Sequence, residues 1–290
     1  MSLTWTAAGA VSAPDTLQIR VEKGFEGRVV AGAPAPSRAL SDDEVRENVR
    51  RFTVARVGPR ARAVQTLVLS GLDVDRRAGL AAVLEESRSW GIVRVVMHVG
   101  RGQREALRGS PLLRHVSAVA ATVTDDADLA DVAALARLPG VQVSAVVVLD
   151  EAALGRLSHL IAGLVAMAPT RVVLQWPLPN GGTAVPPHAE RVAVSLLDAV
   201  ERLEAARIAV TVKGLPACLL GPLATRATRT ANRWYVDADH QGDRALLFQP
   251  DVVRFLHPDE CRFCQRADTC DGVPEAWWRA GVVGRLRAIT

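Results

Sequence analysis

The chain has 290 residues, of which 49% are apolar, and a net charge of +4. This apolar content supports a large core and excludes an intrinsically disordered chain. No uncharged apolar run is long enough for a transmembrane helix, and the first residues lack the pattern of a secretory signal, so we expect a cytoplasmic protein without a membrane partner. The positive charge is mild and aromatic residues are scarce, which argues against a nucleic-acid partner.

Strand-like and helical segments alternate after a leader, residues 1–16, which we predict to be flexible. The strand-like runs are almost continuously apolar, as expected of a parallel sheet covered by helices. Six or seven such repeats within residues 17–214 predict an α/β fold, an open or partial (β/α) barrel, with a doubly wound sheet as the alternative. The predicted strands are 17–22, 63–70, 93–99, 118–124, 141–149, 171–178 and 208–214.

The helical segments carry start and stop signals. Ser41, followed three residues later by Glu44, predicts a capping box at the start of the first helix. Gly91 and Gly140 predict the ends of two further helices. Asp125 is interpreted first as a carboxylate at a helix N-terminus, where it favours the helix dipole, and only second as part of an acidic catalytic pair.

Residues 215–290 break this alternation and are predicted to form a small, irregular C-terminal unit. The stretches WYVDAD and RALLFQ flank HQGD and predict a β-hairpin in which Gly242 supplies the turn. Because a small unit has little core of its own, a bound metal would contribute to its stability.

The four cysteines of the chain predict a metal site in this unit. Three of them lie within residues 261–270 with the spacing C-x2-C-x5-C, and the two-residue spacing lets both thiolates of a tight turn face one centre. The hairpin could bring the fourth cysteine to the other three. Four thiolates suit zinc or an iron–sulfur cluster, and four unrelated buried thiols are the remaining alternative. The candidate ligands are Cys218, Cys261, Cys264 and Cys270.

The region from LPACLLG to the last residues resembles the C-terminal region of radical S-adenosylmethionine (SAM) enzymes of the SPASM and twitch type. In that family a proline–cysteine segment, a hairpin, C-x2-C-x5-C-x-G-V-P, an aromatic pair and a glycine follow the partial (β/α)6 barrel. The resemblance is specific over residues 214–290, and it implies a twitch/SPASM-like subdomain at 215–290 whose cysteines hold an auxiliary 4Fe-4S cluster. The matching residues are Cys218, Cys261, Cys264, Cys270, Gly272, Val273, Pro274, Trp277, Trp278 and Gly281.

The SAM-cleaving site of the family is not preserved. The loop after the first predicted strand has no C-x3-C-x2-C motif and carries Gly24, Gly27 and Gly32 instead. Without soft ligands at this loop, a catalytic cluster has no attachment. The family's G-G-E-P motif after the second strand is also degenerate, so SAM is not expected as a cofactor. The corresponding residues are Gly71, Leu72, Asp73 and Val74.

Polar residues at the predicted C-terminal strand ends are the candidates for a site at the barrel mouth, where such barrels place their functional groups. No catalytic residue is assigned among them. His98 is interpreted first as a core histidine with satisfied hydrogen bonds and second as a ligand or acid–base group. The candidates are Glu22, Ser70, Asp73, His98, Thr124, Asp125, Asp150, Gln175 and Lys213.

The resemblance implies a pseudo-enzyme without canonical radical SAM activity. Such a protein keeps the barrel and the auxiliary cluster and serves as an accessory to a protein or peptide partner, for example a true radical SAM enzyme in peptide modification or cofactor maturation. Two alternatives remain: an enzyme with non-radical chemistry at the barrel mouth, and a zinc-stapled interaction module. A polar barrel cavity would favour the first alternative, whereas an apolar, filled cavity would favour the pseudo-enzyme.

Overall fold

The structure, a computed structural model, describes residues 3–6, 9–12, 14–22, 36–54, 64–71, 74–100, 107, 109–179, 185–230 and 232–290. All seven strands predicted within residues 17–214 are present, each within a few residues of its expected bounds. The described strands are β1 (Leu3–Thr6), β2 (Gly9–Ser12), β3 (Thr16–Arg20), β4 (Thr66–Ser70), β5 (Arg94–Val99), β6 (Ala118–Thr122), β7 (Gln142–Val148), β8 (Arg171–Gln175), β9 (Ala209–Lys213), β10 (Trp234–Val236), β11 (Leu246–Leu247), β12 (Phe255–Leu256) and β13 (Val273–Pro274).

The largest described sheet contains nine strands in the order β11-β10-β3-β4-β5-β6-β7-β8-β9. From β3 to β9, each strand pairs in parallel with the next one along the chain. At the other side of β3, β10 also pairs in parallel, with Tyr235 opposite Gln18. The C-terminal unit therefore contributes a strand to the barrel sheet, which the sequence did not predict.

Helices cover one face of this sheet. The main hydrophobic core joins residues of the helices to one alternating set of strand residues, for example Leu17 and Ile19 of β3 but not Gln18. A doubly wound sheet would carry helices on both faces, so the one-sided core favours the barrel-like alternative. The described helices are α1 (Asp42–Val54), α2 (Ala78–Ser89), α3 (Asp126–Ala136), α4 (Glu151–Gly155), α5 (Leu157–Met167), α6 (Ala189–Ala205) and α7 (Glu275–Arg279).

Side-chain caps fix where several helices begin. The backbone N–H of Glu44 donates to Ser41 Oγ at 3.1 Å and the N–H of Ser41 donates to Glu44 Oε2 at 2.8 Å, so the capping box is confirmed. Asp125 caps α3 and Asp150 caps α4, each accepting a backbone N–H. These two acids are thus used structurally at the strand–helix junctions.

The C-terminal unit shares the core of the barrel. Trp277, Val283 and Leu286 are buried in the same hydrophobic cluster as the strand and helix residues. Ala189, the first residue of α6, donates its N–H to the carbonyl of Val282 at 3.0 Å. The predicted boundary at residue 214 therefore does not coincide with a break in the core.

Two predicted features lie outside the alternating region, namely the C-terminal hairpin and the flexible leader. The hairpin is confirmed, since β10 and β11 pair in antiparallel fashion and Gly242 has a φ of +58°. The leader contains a second hairpin, in which β1 pairs with β2, while its flexibility stays a prediction. In the described parts of the chain, no helix is both long enough and apolar enough to span a bilayer.

Adjacent leucines of α6 provide a test of the one-sided core. Leu196 is fully buried, whereas Leu197 is 43% exposed. We expect Leu196→Ala to lower the free energy of unfolding by about 2–5 kcal/mol, because it removes core contacts and leaves a cavity. Leu197→Ala should change it by less than about 0.5 kcal/mol. Urea denaturation, followed by tryptophan fluorescence, measures the free energy of unfolding of both variants. Equal losses of stability would contradict the assignment of Leu196 to the core face of α6 and of Leu197 to its exposed face.

Candidate functional site

The four cysteines line one cavity of the C-terminal unit. Cys218 lies in a 3-10 turn, Ala217–Leu219, shortly after β9. Cys261 lies in another 3-10 turn, Asp259–Phe263, which Cys264 ends, and Cys270 lies three residues before β13. All four thiols are free and partly buried. The structure thus brings together the residues that the sequence singled out, from two separate segments of the chain.

Backbone N–H groups point at the sulfurs of this cavity. The N–H groups of Ala217 and Gly272 donate to Cys270 Sγ at 3.4 and 3.3 Å. The N–H of Ile289 donates to Cys264 Sγ at 3.5 Å. Hydrogen bonds of this kind favour the thiolate form and are one means by which a protein adjusts a bound cluster.

Two thiols of the cavity, those of Cys218 and Cys261, have a raised pKa and resist ionisation. Burial raises the pKa of Cys218, against a backbone hydrogen bond from Arg287 that lowers it. Burial also raises the pKa of Cys261, to about 11, and the charges of the other three cysteines add to this effect. Four neighbouring thiolates repel one another, so a bound cation would stabilise their ionised form and release protons.

The donor set fits a metal centre in chemistry but not in the spacing of a single ion. Four thiols are the soft ligands that zinc and iron–sulfur clusters take. Zinc binds thiolates at about 2.3 Å in a tetrahedron, which requires closely spaced sulfurs. Among the described residues, no three His, Cys, Asp or Glu side chains are placed so that they could hold one metal ion. The cavity therefore gathers four soft donors, although the described side chains do not form a site for a single ion.

The barrel interior is a second candidate site. The strand side chains that face away from the helices line the barrel interior. On β3 and β4 they include three that are polar and buried, namely Gln18, Arg20 and Ser70. Arg20 lies opposite Ser70 in the pairing of β3 with β4. On β6, β7 and β8 the interior side chains include an apolar cluster of Ala120, Val146, Val148 and Val173. The interior is therefore half polar rather than filled by large apolar side chains.

Several polar atoms of this interior lack partners within the described residues. They are Gln18 Oε1, Ser70 Oγ, His98 Nδ1 and Thr211 Oγ1, all of them buried. A buried polar group without a hydrogen bond costs about 1–3 kcal/mol, so a set of them in one place is unusual for a purely structural interior. Such a set is typical of a site that binds a ligand.

The interpretation of His98 as a satisfied core histidine is wrong. Its ring lies among interior residues, opposite Ala120 in the strand register, and its Nδ1 has no partner in the described chain. Burial, together with the charges of Arg233 and Lys213, lowers the pKa of His98 to about 3, so the imidazole is neutral near pH 7. Whether a histidine finds partners depends on the tertiary structure, which its local sequence does not reveal.

The other predicted mouth residues fall into three groups. Glu22 pairs with Arg77 at 3.1 Å, and Thr124 donates to Asp128 at 2.6 Å, so both have structural contacts. Gln175 and Lys213 lie side by side in register at the ends of β8 and β9. Some predicted residues lie outside the described residues, and these are Leu72, Asp73, Gly24, Gly27 and Gly32.

Gly71 belongs to the degenerate SAM motif and can be placed. Its φ is +136°, and a Cβ on it would lie 2.6 Å from the backbone nitrogen of Glu22. Glycine is therefore required here by the close approach of the β3 and β4 ends. This packing explains Gly71 without a cofactor.

The sequence reasoning missed the contribution of β10 to the interior. Tyr235 and Asp237 are fully buried on this strand, and Arg233 precedes it. Burial raises the pKa of Tyr235, and the Asp237 carboxylate adds to the effect. The alternation of polar and apolar residues in RWYVD was a signal, but it does not say which sheet the strand joins.

Gly272 next to Cys270 offers a test of the cavity wall. It and Gly281 both have positive φ, yet a Cβ on Gly272 would lie 2.1 Å from the carbonyl oxygen of Leu256, whereas Gly281 has open space. We expect Gly272→Ala to lower the free energy of unfolding by about 1–3 kcal/mol more than Gly281→Ala, because only it adds a clash to the backbone strain. Gly272→Ala should also speed the reaction of the thiols with Ellman's reagent. Identical behaviour of the two variants would contradict the tight packing around Cys270.

Comparisons with known proteins do not identify the chain. No family model and no curated protein matches it. The two candidate sites therefore rest on their own geometry.

Proposed function

We propose that the protein is a radical-SAM-like accessory protein that has lost SAM cleavage and holds an auxiliary 4Fe-4S cluster in its C-terminal unit. The observation that carries this proposal is the single cavity lined by Cys218, Cys261, Cys264 and Cys270. It is supported by the α/β fold with a mostly parallel sheet, and by the N–H groups directed at two of the sulfurs.

The resemblance of residues 214–290 to SPASM and twitch regions favours a cluster over a zinc ion. In a 4Fe-4S cluster each thiolate binds a different iron, so the sulfurs stand further apart than around one ion. When bound, the cluster supplies one-electron transfer; Cys218, Cys261, Cys264 and Cys270 would hold it, and Leu286 covers the cavity from the core side. The zinc-stapled interaction module is the alternative.

The polar barrel interior favours a second candidate function. A pseudo-enzyme whose barrel has no ligand gains nothing from buried polar atoms without partners, such as Gln18 Oε1, Ser70 Oγ and His98 Nδ1. An enzyme with non-radical chemistry, or an accessory protein that binds a small molecule in its barrel, uses them. Both candidates retain the cysteine centre.

The remaining expectations follow from the same proposal. The partner is a protein or peptide, for example a true radical SAM enzyme, and the cellular location is the cytoplasm. Exposed Phe263 lies between two of the cysteines, with 77% of its surface accessible. It would be the first residue of this centre to meet a docking partner.

Metal content tests the cysteine centre. We expect protein purified without oxygen to be brown and to carry about four irons per chain. Cys264→Ser should lose most of this iron, because one iron then has no thiolate. Ala267→Ser, which alters the same cavity wall without removing a thiol, should keep the full content.

Three outcomes of the metal assay decide between the hypotheses. Four irons that depend on Cys264 support the cluster. One zinc per chain in colourless protein would support the interaction module instead. Protein without bound metal, with four thiols that all react without denaturant, would overturn both.

Loss of SAM chemistry is tested separately. The loop after β3 contains no cysteine, so no cluster can be anchored there to reduce SAM. We expect no 5′-deoxyadenosine after reduction with dithionite in the presence of SAM, measured by chromatography, even in protein with full iron content. Any turnover that disappears in a SAM-free control would refute the loss of this activity.

A further inference from the structure

Three basic side chains come together in the barrel interior. Lys213 ends β9, Arg233 directly precedes β10 and His98 lies in β5. All three belong to the strand set that faces away from the helices, because their neighbours Val212, Trp234 and Met97 belong to the main core. The charges of Arg233 and Lys213 both act on His98, and that of Arg233 acts on Lys213, so the three groups are close in space.

No acid in the described chain pairs with these groups. Neither Lys213, Arg233 nor His98 makes an ion pair or a side-chain hydrogen bond with any described residue. The guanidinium of Arg233 instead lies over the ring of Phe248, 3.9 Å from its centroid. This stacking fixes the position of the charge but does not neutralise it.

One carboxylate acts on the group from outside. Burial lowers the pKa of Lys213 and lowers that of Arg233 to about 10, and the Asp271 carboxylate opposes this effect at both groups. Asp271 is already occupied: it accepts the N–H of Thr230 at 2.7 Å and lies 3.8 Å from Arg229 Nε. One carboxylate shared among Lys213, Arg233 and Arg229 leaves a net positive charge on this group of side chains.

The three groups are enclosed by protein and still retain accessible surface, as side chains that line a cavity do. A buried positive charge without a counter-charge is costly, and proteins keep such groups where a ligand supplies the opposite charge. Arginine and lysine together are the usual receptors for carboxylates and phosphates, since the guanidinium presents two parallel N–H donors.

We propose that the barrel interior binds a small ligand through its oxyanion, a carboxylate or a phosphate, held by Lys213 and Arg233. The neutral ring of His98 supplies a further hydrogen bond. The apolar wall of Ala120, Val146, Val148 and Val173 accommodates the rest of the ligand. This inference does not rest on the cysteine centre, which lies in another cavity.

Anion-dependent stabilisation tests this site. Thermal unfolding of the full chain is measured with increasing inorganic phosphate or succinate, with sodium chloride at matched ionic strength as the reference. A ligand that binds only the folded state raises the melting temperature in proportion to its affinity. We expect one of the two anions to stabilise the protein beyond chloride. Lys213→Met and Arg233→Met should each weaken the apparent affinity about tenfold or more.

Two further variants make the result specific. Lys213→Arg keeps the charge and should retain binding. Arg94→Met removes an exposed arginine at the opposite end of β5 and should leave binding unchanged. Each variant is compared with itself in chloride, so a general loss of stability does not mimic lost binding.

The outcomes separate the possible ligands. A response to phosphate alone indicates a phosphate-bearing ligand, and a response to succinate alone indicates a carboxylate. A response no larger than that to chloride, or one that Arg94→Met reduces as much as Lys213→Met does, overturns the proposal. Metal analysis of the same samples shows whether the cysteine centre is loaded, so failure of one site is not mistaken for failure of the other.

Discussion

The parallel pairing of β10 with β3 is the contact on which both candidate sites depend. It inserts a strand from the C-terminal unit beside the first strand of the barrel, with Tyr235 opposite Gln18. This strand carries Arg233 and Asp237 into the interior, and the segments that follow it fold back to the turn that holds Cys218. A C-terminal unit that packed elsewhere would leave the barrel without Arg233 and would separate the cysteines.

The two sites meet at one short segment. Cys270 belongs to the thiol cavity, and its neighbour Asp271 acts electrostatically on Lys213 and Arg233 in the barrel. Asp271 is held by the N–H of Thr230, just before β10. A change of charge at the cysteines would therefore change the affinity of the barrel interior for its ligand. Ligand binding in the barrel would change the free energy of metal binding at the cysteines by the same amount.

The elements that the sequence predicted well are those whose signals are local. The strand runs of the barrel, the Ser41–Glu44 capping box and the turn at Gly242 depend on neighbouring residues alone. The clustering of Cys261, Cys264 and Cys270 is visible in the local sequence. The position of Cys218 beside them depends on how the chain folds. His98 and Arg233 were misread or missed because their meaning depends on partners in other strands. A strand can be recognised from its own residues, but its place in a sheet cannot.

The same pairing has a consequence for how the chain reaches its native state. Leu17 and Trp234 are opposite one another in the register, although they lie near opposite ends of the chain. Contacts between residues so distant in sequence form slowly, because a long loop must close first. During synthesis β3 remains an unpaired edge until residue 234 has emerged, and an exposed strand edge is a template for aggregation. The chain is thus exposed to aggregation through β3 for as long as this edge stays unpaired.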